Sequence, residues 1–80
     1  MVGKIVAQAA AKNLIPCIME LGGKCPAVVD LDVNMDHATD KLCFSKFSNS
    51  GQTCICPDYL LVHESRIKEF VTQMIVKIKR

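Results

Sequence analysis

Two residues in this chain are placed where a side chain could do covalent or acid–base chemistry. Cys54 closes the run Asn49-Ser50-Gly51-Gln52-Thr53-Cys54, just past a glycine-bearing loop and before an apolar strand-like segment. A loop end exposes a nucleophile while the flanking scaffold fixes it, and a thiolate with a suitable partner is a strong nucleophile near neutral pH. Glu20 interrupts the apolar run Ile18-Met19-Glu20-Leu21, immediately before Gly22 and Gly23. A carboxylate buried there has to be paired, protonated or functional, and one with a raised pKa could act as a general base. Each has a bland alternative: Cys54 as a buried structural thiol, and Glu20 as an exposed charge on a half-buried strand.

Other constellations fit known chemistry poorly. Cys43, Cys54, Cys56, His37 and His63 could be weighed as a metal site, but zinc ligands come as C-x₂₋₄-C pairs at defined spacing. Here the cysteines give only C-x-C, and the histidines fall on a helix and at a strand end. No metal is expected. The pairs Gly3-Lys4 and Gly23-Lys24 fail the phosphate-loop pattern, because Ile5 and Cys25 occupy the place of the required Ser or Thr.

The elements that must position Cys54 and Glu20 follow from local pattern. Residues 3 to 13 are Ala-rich and suit a helix. Pro16 ends it and leads into an extended Cys17–Leu21 strand, which Gly22-Gly23 turn. Pro26–Asp30 reads as a buried strand. Asp32 or Asn34 can cap the next helix, whose apolar positions are Met35, Ala38, Leu42 and Phe47. Asn49-Ser50-Gly51 stops that helix, with Gly51 suited to a left-handed backbone. Tyr59–His63 forms another strand. Ile67, Phe70, Val71, Met74, Ile75 and Ile78 then repeat at helical spacing behind a Ser65 cap. The order helix, strand, strand, helix, strand, helix predicts an α/β unit with short, largely parallel strands and flanking helices.

Composition narrows the function classes. Ten basic against eight acidic residues give a net charge of +2, too little to draw the chain to nucleic acid or an anionic membrane. Lys77, Lys79 and Arg80 read as the solvated, dipole-favoured end of the last helix. No uncharged stretch approaches the ~20 residues that span a bilayer. Five cysteines, an odd number, without a secretory leader suit an intracellular, cytoplasmic, thiol-reduced chain. Half the residues are hydrophobic but only four are aromatic, thin material for an independent core. Both ends look cut within helices.

Taken together, the two chemical motifs carry a resemblance. Met19-Glu20-Leu21-Gly22-Gly23-Lys24 resembles the glutamate motif of the aldehyde dehydrogenase superfamily, and Asn49–Cys54 resembles its cysteine motif, 34 residues on. Val2-Gly3-Lys4-Ile5-Val6, Ala9–Leu14 and Cys56-Pro57-Asp58-Tyr59 are similar to the class 3 branch, which includes fatty-aldehyde dehydrogenases. The resemblance implies that Cys54 attacks an aldehyde, that NAD or NADP accepts the hydride, and that Glu20 activates the water releasing a carboxylic acid. It implies Gly3, Leu21 and Gly22 as cofactor-binding residues and the Cys54 backbone N–H as an oxyanion donor. Residues 1–15 would end the cofactor-binding part and 16–80 begin the catalytic part, as a fragment of the family fold at the junction of the two. Full-length relatives would be homo-oligomeric. Cys25 stands where many relatives carry Ser. Cys56 stands where class 3 relatives usually carry a small residue, and could form a strained disulfide or a mixed species with Cys54 on oxidation. The remaining cofactor and oxyanion groups would lie outside these eighty residues. The chain by itself is therefore expected to be inactive, the alternative being a non-catalytic remnant or interaction fragment.

Overall fold

The computed structural model describes residues 1–79; Arg80, assigned above to the basic end of the last helix, lies outside the described residues. Helix α1 spans Val2–Lys12, as its alanines favour. It ends because Leu14 takes a left-handed backbone, φ 52°. The Leu14 and Ile15 N–H groups then reach back to the Ala11 and Ala10 carbonyls at 3.2 and 3.0 Å. This is the Schellman arrangement, with Leu where glycine is usual. The Asn13 side chain adds a bond to the Ala9 carbonyl at 2.9 Å, and Pro16 prevents any resumption.

The strand expected at Cys17–Leu21 does not form. Residues 15 to 24 are irregular and exposed throughout. A strand is held by its ladder, and among the described residues the only sheet is the two-stranded pair of β1 with β2. The element order is therefore α1, β1, α2, β2, α3, with short 3₁₀ turns before β2 and α3.

Strand β1 (Cys25–Val29) runs parallel to β2 (Pro57–Val62), Ala27 facing Leu60 and Val29 facing Val62. The register slips between Cys25 and Pro26, where proline offers no N–H to the ladder. Helix α2 (Met35–Phe47) makes the crossover that a parallel pair requires. Its cap is Asn34 rather than Asp32: the Asn34 Oδ1 accepts the His37 N–H at 3.0 Å. Helix α3 (Ile67–Ile78) follows a turn capped by His63, whose Nδ1 accepts the Ser65 N–H. Ser65 itself caps nothing, contrary to expectation.

Helices α2 and α3 pack on each other and α2 touches β2. The core is small: Val29, Met35 and Phe70, flanked by Val33, Leu42, Val62 and Met74. Phe47, assigned above to the core face of α2, is instead 58% exposed. Thr39 is wholly buried, its hydroxyl satisfied by the Met35 and Asp36 carbonyls. Lys77 is not the solvated residue expected: its side chain is 7% exposed, with Nζ 2.6 Å from Asp36 and 2.8 Å from Asp40. Those carboxylates raise its pKa, the hydrogen bond from Asp36 most and that from Asp40 next, against the opposing effect of burial. Arg66 likewise ties α3 back to the loop after β1, donating to the Leu31 and Val33 carbonyls.

Much apolar surface is left uncovered. The accessible area is 6525 Å², against about 4,800 Å² for a compact monomer of this mass. The radius of gyration is 18.0 Å, against about 12 Å for a compact 80-residue domain. Helix α1 has no buried residue, and Val28 and Leu61 on the sheet are 69% and 54% exposed. Strands of a parallel sheet are normally covered on both faces, so this is a segment shaped to be packed against more protein.

Candidate active site

The turn carrying Cys54 is built from residues that accept unusual backbone angles. Asn49, Ser50 and Gly51 all have positive φ, 50°, 56° and 74°. Asparagine tolerates this region better than most residues and glycine without penalty. Asn49 steadies the run by donating from its side chain to the Gln52 carbonyl and accepting the Gln52 N–H at its own, both at 3.1 Å. The Cys56 N–H then closes a second turn on the Thr53 carbonyl at 3.0 Å. Lys46, in the last turn of α2, reaches the Pro57 carbonyl at 2.9 Å and so brackets the whole loop.

This packing separates the two neighbouring cysteines. Cys54 is exposed and Cys56 buried, and both are free thiols. The Cys56 Sγ lies 3.7 Å from the Pro57 carbonyl and 4.0 Å from that of Lys46. It anchors the loop inward, and in this thiol form no bond joins it to Cys54.

The segment Glu20–Lys24 comes against this turn from across the chain. A methyl group on Gly23 would collide with the Cys54 carbonyl oxygen, so the two backbones touch where only glycine allows it. The Cys25 thiol lies 3.5 Å from the same oxygen, placed to donate to it. Lys24 pairs with Asp58 at 3.3 Å. Glu20 sits on the exposed irregular stretch rather than on a half-buried strand, as a consequence of the missing 17–21 ladder.

The three residues linked above to a cofactor divide. Leu21 lies over Gly3 of α1; a methyl group at Gly3 would come 2.9 Å from the Leu21 Cδ2. Around Gly22, nothing among the described residues lies within 4 Å of an added methyl group. The contacts of Gly23 and Cys25 with Cys54 were not foreseen. Their only signal in the sequence was the second glycine of the pair, which a simple turn does not need.

The model of the aldehyde dehydrogenase family matches residues 1–80. The chain belongs to the aldehyde dehydrogenase family. It is similar to the 4,4'-diaponeurosporen-aldehyde dehydrogenase of Staphylococcus aureus, at 52% identity over 73 residues, covering 91% of this chain and 16% of that protein. It is also similar to the mouse aldehyde dehydrogenase family 3 member A2, at 47% identity over 78 residues, covering 98% of this chain and 15% of the relative. That relative bears out the class 3 resemblance. Among solved structures, substrate-bound Staphylococcus aureus AldH superposes with a TM-score of 0.87 at 47% identity, covering 98% of this chain and 17% of that one. The fold is thus that of the corresponding part of an aldehyde dehydrogenase, and the eighty residues span about a sixth of these relatives. No helix among the described residues is long and apolar enough to cross a membrane.

Proposed function

We propose that this segment carries the nucleophile and the general base of an aldehyde-oxidising enzyme. The Cys54 thiolate adds to the aldehyde carbon and forms a thiohemiacetal, its backbone N–H donating to the oxyanion, a contribution of about 3 kcal/mol where the donor is pre-aimed. When the hydride has left, the acyl group remains on the Cys54 sulfur as a thioester. Glu20 accepts a proton from water, the resulting hydroxide attacks the thioester, and the carboxylic acid departs as the thiol re-forms. Residues 1–15 would then finish a cofactor-binding part and 16–80 open the catalytic part.

A bound nicotinamide cofactor, NAD or NADP, would supply the hydride acceptor. Gly3, Leu21 and Gly22 are the residues here that would hold it. The open space around Gly22 fits close approach of a flat ring to backbone, and Leu21 is steadied by its seat on Gly3.

The observation that supports this reading best is the meeting of the two motifs: Gly23 of the Glu20 motif and Cys25 just after it close on the carbonyl of Cys54. The test is a graft of residues 1–80 in place of the equivalent segment of the full-length Staphylococcus aureus relative. Cys54→Ala is expected to abolish NADH formation, and Glu20→Gln to leave one burst of NADH per site with an acyl-enzyme visible by mass. Parent-level turnover in Cys54→Ala overturns the reading. The 80-residue chain alone should show no turnover, because catalysis needs groups held together that these residues do not all supply.

A further inference from the structure

We propose that Gly23 and Cys25 are positioning residues for Cys54, meeting its carbonyl oxygen together and so limiting how the backbone that carries its thiol can turn. The proposal rests on Cys54 being the nucleophile. Two separate contacts converge on one atom: the Gly23 backbone lies where a side chain would strike the Cys54 oxygen, and the Cys25 thiol is 3.5 Å from it. The rest of the loop is already held by the buried Cys56, whose Sγ faces the Lys46 and Pro57 carbonyls, and by the Lys46 side chain on the Pro57 carbonyl. With the carbonyl held, rotation of the peptide between Cys54 and Ile55 is limited, and with it the range of headings of the Cys54 Cα–Cβ bond. A third contact of this segment, Lys24 with Asp58, joins exposed groups, 86% and 40% accessible, and so contributes little. The grip is therefore steric at Gly23 and a donor contact at Cys25.

The two adjacent glycines consequently have different duties. A side chain at 22 would meet nothing within 4 Å among the described residues and would stand where the cofactor is proposed to approach; a side chain at 23 would push the Cys54 carbonyl away. Displacing a reacting group by about 1 Å costs on the order of 100-fold in rate. In the grafted full-length enzyme, Gly23→Ala is expected to slow the first-turnover NADH burst about 100-fold with cofactor Kd within twofold of the parent. Gly22→Ala is expected to weaken cofactor binding instead. Cys25→Ala should slow the burst several-fold, and Cys25→Ser, which restores a donor, should recover the rate; this pair remains informative if Gly23→Ala does not fold. A Gly23→Ala enzyme with the parent burst rate, or Cys25→Ala and Cys25→Ser indistinguishable from each other, overturns the proposal. If Cys54→Ala in the same background keeps the burst, it is the nucleophile assignment that falls, and the two failures are thereby told apart.

Discussion

Replacing Gly51 with alanine tests the reasoning about the cysteine turn most directly. Gly51 has φ +74°, and a β-carbon there would lie 3.0 Å from the Lys46 carbonyl oxygen and 3.7 Å from the Cys56 sulfur. A left-handed backbone costs a residue with a β-carbon about 1–2 kcal/mol. The approach to a backbone oxygen that helix α2 holds in place adds to this, on the order of 1 kcal/mol for the small local distortion it forces. Alanine also restricts the unfolded chain, which returns about 0.4–1 kcal/mol. The net penalty is about 2 kcal/mol, confined to the loop. Hydrogen exchange in the grafted enzyme reads it locally, at the Gln52 and Cys56 amides that close the two turns. Exchange there should accelerate about 30-fold in Gly51→Ala, since each 1.4 kcal/mol is about a factor of ten. Gly51→Asn should fall between alanine and the parent, because asparagine tolerates the left-handed region while still adding a β-carbon. If both amides exchange at the parent rate in Gly51→Ala, the turn does not depend on its positive φ.

Phe70→Ala should destabilise the α2–α3 layer by about 3–5 kcal/mol, Phe70 being one of three residues in the central cluster; a denaturant midpoint in the grafted enzyme measures it, and a change below about 1 kcal/mol contradicts the assignment of the core. Lys77 has its pKa raised in the folded state by Asp36 and Asp40, so its stabilising contribution is complete below the ordinary lysine value of about 10.4 and declines as pH rises through the higher folded value. The stability difference between parent and Lys77→Met should accordingly shrink only above about pH 10, and a difference unchanged up to pH 12 refutes it. Iodoacetamide followed by peptide mass analysis of the 80-residue chain should label the exposed Cys17 and Cys54 before the buried Cys56; Cys56 reacting first contradicts the anchoring role given to it.

Short-range chemistry accounts for what was legible. Alanines made α1, the Asn34 cap and apolar spacing made α2 and α3, and the apolar runs made β1 and β2, within a residue or two at most ends. Those signals lie within a few residues of where they act. The 17–21 strand failed for the complementary reason: extended propensity is local, but a strand exists only with a ladder partner, and the partner is a tertiary matter. Phe47 shows the same limit, since helical spacing marks a face without saying whether anything covers it.

The sequence by itself determined the family of this chain, because the Glu20 and Cys54 motifs are read residue by residue in order. It also singled out Glu20 and Cys54 as the residues for which reactive roles are proposed. Only the tertiary structure decided how they are held. That Cys56 turns inward onto the Lys46 carbonyl while Cys54 stays out, that Lys77 closes on two carboxylates, and that Gly23 and Cys25 meet the Cys54 carbonyl all join residues 10 to 41 positions apart. Such contacts depend on how β1, α2 and β2 stack, a sum over the whole segment that no local pattern contains.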